Sequence, residues 1–117
     1  MQINDMPFED AVPIDGYGPN FFRVNGEVHE GAMLLIGPTP AAWGGYDDAA
    51  SLLALAERVD FILFGTGPEM AHIPAALRSQ LDAAGIGAEV MATPTACRSY
   101  NILASEGRRI AVALLPV

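Results

Sequence analysis

The sequence predicts an α/β fold, a three-layer sandwich with a mixed sheet and a small antiparallel addition. Three observations carry this reading. Phe61 to Gly67 (FILFGTG) opens with four apolar residues and no polar alternation, which suits a strand covered on both faces. From Asp60 onward the pattern runs strand, helix, strand, helix, strand; two crossovers of about ten residues or more require parallel neighbours or a sheet-spanning return, with helices over the faces. The first third instead holds Asn25-Gly26, the strongest hairpin signal in the chain, because a type I′ turn needs positive φ at both centres.

The elements follow in order. Residues 1–12 are polar, acidic and proline-punctuated, and are expected to form an N-terminal arm ahead of a single domain over 13–117. Ile14–Gly18 and Phe21–Val24 are short strand pieces, with Gly16, Gly18 and Pro19 as turn markers. Asn25-Gly26 reverses the chain into Glu27–Glu30, and Ala32–Ile36 (AMLLI) is a buried strand. Pro38 and Pro40 cannot donate to a ladder, so that strand ends at Gly37 and leads into a loop holding Trp43. Asp47 or Asp48 caps a helix running to about Glu57 or Arg58, with Leu52, Leu53, Leu55 and Ala56 on its buried side. Beyond the central strand, Pro74 sits in the first turn of a helix over 73–84, and Gly85 is its C′ residue. Ala88–Met91 is a short strand, and Thr93 or Thr95 caps a third helix that stops at Gly107. Arg109–Leu115 closes the fold as a central or near-central strand, because it is so apolar.

Composition narrows the function. The 117 residues carry a formal charge of −8, and all six basic residues are arginines, so no basic footprint for nucleic acid or an anionic membrane surface is present. Without lysine, Schiff-base and phosphate-loop lysine chemistry is excluded. Acids stand where a signal peptide would carry bases, and the apolar runs are strand-sized, so a cytoplasmic location without membrane insertion is expected. One cysteine excludes an internal disulfide or a cysteine metal cluster, and no cofactor is indicated.

Two groups of residues are candidates for chemistry. Gly65, Thr66 and Gly67 end the central strand, where ligands of open α/β sheets settle beside loops and helix N-termini. The segment GTGPEM is neither GxGxxG nor a phosphate loop, which leaves a tight structural turn or a small-molecule or anion site. The second group is Thr93, Thr95, Cys97, Arg98, Tyr100 and Asn101, followed by Glu106 and Arg108. Cys97 lies near the start of its helix, where the macrodipole and Arg98 favour a thiolate, and Asn101 shares its face. The topology predicts a cleft between Gly65–Gly67 and Thr95–Arg98. His72 is the candidate base for a Cys97 nucleophile; the alternative is a buried apolar Cys97 and a surface His72. The simplest roles for Glu106 and Arg108 are a local ion pair flanking Gly107, and for Tyr100 a core position. Trp43, Tyr46, Phe21 and Phe22 gather aromatic surface at the antiparallel end, which would suit a protein interface if exposed.

These residues also resemble a known family. Tyr17-Gly18, Phe22, Gly31, Pro38, Trp43, the strand end Leu63-Phe64-Gly65-Thr66-Gly67, and above all Met91-x-Thr93-x-x-Ala96-Cys97-Arg98-x-Tyr100-Asn101-x-Leu103-x-x-Glu106-x-Arg108 are similar to the DUF498, or Mth938-like, domain. The resemblance implies a b+a/b/a fold with a central five-stranded mixed sheet. It also implies kinship with an assembly factor of mitochondrial respiratory complex I, and no catalytic residues that can be carried over. Ala92 stands where many relatives have aspartate, and Ser99 where they have threonine. The leading expectation is a non-enzymatic accessory or assembly protein that binds a partner protein, with a homodimer allowed. The alternative is a small-molecule or anion-binding protein or enzyme using Cys97 as a reactive thiol. A redox sensor would need intermolecular pairing of Cys97.

Overall fold

The computed structural model describes residues 11–117. The greater part of the predicted N-terminal arm, residues 1–10, lies outside the described residues. Among the described residues, eight strands and three α-helices form two sheets with helices on both sides of the larger one. The small sheet is β1 (Ile14–Gly18), β2 (Phe21–Val24) and β3 (Glu27–Glu30), all antiparallel, with β2 in the middle. Asn25 and Gly26 join β2 to β3 at φ 52° and 82°, the positive values a type I′ turn requires. A bulge between Ile14 and Gly16 places the extra residue, Asp15, on β1.

The large sheet has the order β5-β4-β8-β6-β7. It comprises β4 (Met33–Ile36), β5 (Thr39–Ala42), β6 (Phe61–Thr66), β7 (Gly87–Met91) and β8 (Ile110–Leu115). β8 is parallel to β6 and antiparallel to β4, which makes the sheet mixed. Alternation along each strand divides the core between its faces. Leu34, Ile36, Ile62, Phe64, Ala111 and Ala113 face one side, under α1 (Ala49–Leu53) and α2 (Ala75–Ala83). Met33, Leu35, Leu63, Ile110, Val112 and Leu114 face the other, under the small sheet and α3 (Thr93–Ser105). The architecture is therefore small sheet plus helix, sheet, helices.

Three local expectations are corrected. β5 is a strand although it contains Pro40: it is an edge strand, so the missing N–H faces away from the sheet, and Gly37 at φ 57° makes the turn from β4. The first helix keeps α-geometry only to Leu53, then tightens through bonds such as Leu55 N–H to Leu52 O and Ala56 N–H to Leu53 O. Arg109 closes that segment by donating to the carbonyls of Glu57 and Arg58, at 2.7 and 3.3 Å. The third helix has Ala92 at its N-cap with no side-chain cap, so neither Thr93 nor Thr95 plays that part. The Asp48 cap does form: its carboxylate accepts from the Ser51 N–H and hydroxyl and from Gly44 N–H, and these bonds lower its pKa. Gly85, at φ 77°, ends α2 as predicted, with Ile86 N–H returning to Leu81 O.

Candidate functional site

The two predicted walls of the cleft, Gly65–Gly67 and the start of α3, do meet, and they meet in contact. Thr93 is fully buried between them. Its hydroxyl donates to Leu115 O at 2.7 Å and accepts from Gly67 N–H at 2.9 Å, while its own N–H donates to Gly67 O at 2.8 Å. One side chain thus ties together the ends of β6 and β8 and the beginning of α3. Gly65 is a glycine for the same reason. A Cβ there would lie 2.8 Å from the Thr93 hydroxyl oxygen and 2.7 Å from Leu114 Cδ2, inside ordinary contact. Thr66 staples the following loop, its Oγ1 accepting from Ala71 N–H at 3.0 Å and lying 2.9 Å from Glu69 O and 3.2 Å from Met91 O.

On α3 the spacing Thr93, Ala96, Cys97, Tyr100 follows the helical period, and all four side chains point into the core. Cys97 is 4% exposed, and burial pushes its thiol up to about 12, with Arg98 pulling weakly the other way. This runs against the thiolate expected from the helix start and Arg98: desolvation outweighs the Arg98 charge. Tyr100 is buried with its hydroxyl unpartnered among the described residues, and its pKa is raised to about 12 by burial. Asn101 is committed elsewhere. Its amide accepts from Ile14 N–H at 2.8 Å and donates to Ile14 O at 3.0 Å, continuing the small sheet's edge onto the helix. Thr95 and Arg98 are exposed and joined by a 3.4 Å hydrogen bond.

His72 is exposed just before α2, next to Ile73 of the α2-side core, whereas Cys97 is buried in the core on the other face of the sheet, so the arrangement gives no support to a nucleophile and base pair. Arg108, expected to pair with Glu106, instead sets its guanidinium over the Phe61 ring, 5.7 Å from the centroid. The aromatic interface is corrected as well. Trp43 and Phe22 are core residues, 4% and 0% exposed. Trp43 packs at 6.1 Å from Phe64 and 6.0 Å from Tyr46 between ring centroids, and its Nε1 donates to Asp48 O. Tyr46 and Phe21 are half-buried. No group of three or more His, Cys, Asp or Glu side chains among the described residues could hold a metal ion. No helix among them is long and apolar enough to cross a membrane.

The missed features are the Thr93 clamp and the Asn101–Ile14 pairing. The first had a signal: Thr93 shares the i, i+3, i+4, i+7 face of Ala96, Cys97 and Tyr100, which marks it as inward-facing. The second joins residues 87 positions apart and has no local signature.

Known proteins share this fold. The model for a protein family of unknown function, DUF498/DUF598, matches residues 14–115. The chain belongs to this family. An uncharacterized protein of Rhodobacter capsulatus is 51% identical over 94% of this chain and 89% of its own length. The NADH dehydrogenase [ubiquinone] 1 alpha subcomplex assembly factor 3 of Danio rerio is 34% identical over 88% of this chain. The chain spans 63% of that assembly factor's length. Among solved structures, an outer membrane protein of Bartonella henselae superposes with a TM-score of 0.84 at 30% identity, covering 92% of this chain and 96% of its own. A Bordetella pertussis protein described as a Mth938-like domain gives 0.73 at 27% identity, covering 90% and 85%. The DUF498 chain described here thus carries the Mth938-like fold, and its family includes proteins with an assembly role.

Proposed function

We propose that this DUF498 protein is a non-enzymatic accessory factor that binds a partner protein during assembly of a respiratory or other membrane-associated complex. The observation that carries the reading is its relation to assembly factor 3, at 34% identity over 88% of the chain. The site geometry supports it. The residues most suggestive of chemistry serve the fold: Thr93 joins strand ends, Asn101 pairs with β1, and Cys97 is an uncharged core thiol. The apolar part of the family motif, Met91, Ala96, Cys97, Tyr100 and Leu103, packs α3 against two sheets.

The test is genetic and biochemical together. Deleting the gene in its source organism should deplete a membrane complex on native gels, with NADH:quinone activity as the first readout. A copy carrying Cys97→Ala should restore it to the wild-type level, because the thiol has no chemical part in the role. Complexes unchanged by the deletion would overturn the assembly reading. Failure of Cys97→Ala to restore them, with the variant shown to be folded, would overturn the non-enzymatic one.

A further inference from the structure

We propose that Asn25-Gly26 is a site of spontaneous chemical modification, deamidation through a cyclic imide, and that Asp15 restrains it. Both residues are exposed at the tip of the β2–β3 hairpin, and the position where Gly26 would carry a side chain has nothing within 4 Å. Glycine leaves its own backbone nitrogen unshielded, which makes Asn-Gly the most reactive pairing for this chemistry. The Gly26 nitrogen attacks Asn25 Cγ; the N–Cγ bond forms, the Cγ–Nδ2 bond breaks, and ammonia leaves carrying the proton given up by the nitrogen. Water then opens the imide at either carbonyl and leaves aspartate or isoaspartate at position 25. Water is the only co-reactant, and no electrons are transferred.

The second observation is where the bulge on β1 aims its extra residue. Asp15 stands between Ile14 and Gly16, which pair with Val24 and Arg23, and its Oδ2 accepts the Gly26 N–H at 3.1 Å. The attacking nitrogen must lose that proton. A carboxylate bonded to the N–H holds the proton in place and sets a negative charge against the amide anion that attack requires. It also fixes the peptide plane at φ 52° and 82°, so the turn must open before nitrogen and Cγ approach. Modification would have structural consequences. Aspartate adds one negative charge to the formal −8, beside Asp15 and Glu27. Isoaspartate adds a backbone methylene inside a two-residue turn and breaks the Val24–Glu27 pairing.

The experiment ages the full chain at mildly alkaline pH and follows position 25 by peptide mass spectrometry and enzymatic isoaspartate labelling. Wild type is compared with Asp15→Ala, Asp15→Ser and a synthetic peptide spanning residues 20–31. Wild type should be slowest, and Asp15→Ala about fivefold faster, the effect of losing one exposed charge-assisted hydrogen bond. Asp15→Ser, which keeps a shorter acceptor oxygen without the charge and creates no new Asn-Gly pair, should fall between them. Asp15→Ala equal to or slower than wild type would overturn the guarding role. Conversion of the peptide with none at Asn25 in Asp15→Ala would overturn the site.

Discussion

Replacing Thr93 with valine tests the central claim about the strand-end site. The substitution keeps the branched shape and removes only the hydroxyl, so no large cavity confuses the result. What it strands is the buried Gly67 N–H and the partly buried Leu115 carbonyl, bonded at 2.9 and 2.7 Å in the native fold. A buried polar group left without its partner costs about 1–3 kcal/mol. The Leu115 oxygen keeps access to other donors and sits at the lower end, so Thr93→Val should lose about 2–4 kcal/mol in all. For a domain of this size that is a fall of roughly 8–15 °C in Tm. Thr93→Ser, which keeps the hydroxyl and loses one methyl, should cost only about 1 kcal/mol. Urea denaturation can be followed through Trp43, the single tryptophan, which is buried against Phe64 and will red-shift on exposure. Amide exchange at Gly67 should accelerate in the valine variant alone. A Thr93→Val protein within about 0.5 kcal/mol of wild type, or a serine variant equally damaged, would refute the clamp.

Two further outcomes follow from the α3 face. Tyr100→Phe removes a buried hydroxyl that has no partner among the described residues, so stability should hold or rise by up to about 1 kcal/mol in the same urea assay; a clear loss would mean the hydroxyl is bonded. The pH dependence has a definite sign. Burial raises the Cys97 and Tyr100 pKa values to about 12 from 9.0 and 10.0, so above pH 9 the unfolded chain binds fewer protons than the native one. Their stabilising effect is whole below pH 9 and is lost as pH climbs toward about 12; urea midpoints should fall less steeply over pH 8–11 in the Cys97→Ala/Tyr100→Phe double variant than in wild type, and parallel slopes would sink the assignment.

Much of this fold was legible in the residues, because the deciding signals are local. Four apolar residues followed by Gly-Thr-Gly place β6, Asn25-Gly26 sets the hairpin, and Gly85 ends α2. Three things were not legible in that way. Pro38 and Pro40 read as terminators, yet an edge strand tolerates a missing donor, and which strand lies at the edge is a property of the assembled sheet. Trp43 stands just before Gly44-Gly45 and reads as a surface aromatic, but the chain after β5 folds back so that Phe64 covers it. Cys97 shows how charge and burial compete: Arg98 is visible in the sequence, whereas the desolvation that outweighs it comes from residues on β1, β2 and the large sheet. The two segments expected to line a cleft do meet, but through the buried Thr93, and a motif at core spacing looks the same whether it serves packing or catalysis.

The position of β8 has a kinetic side. It is the last element in chain order and the middle strand of the large sheet, flanked by β4 on one side and β6 on the other. Before it is inserted, the β4–β5 hairpin and the β6–α2–β7 unit are two separate pieces with no shared ladder, each exposing an apolar edge. Joining β4 to β8 closes a loop from Met33 to Leu114, and such distant pairings slow folding because chain entropy is lost before the contacts compensate it. The barrier to folding should therefore lie at the docking of β8. Substitutions such as Val112→Ala would slow folding in proportion to how far that strand is seated in the transition state, whereas changes at the β3 edge would act mainly on unfolding.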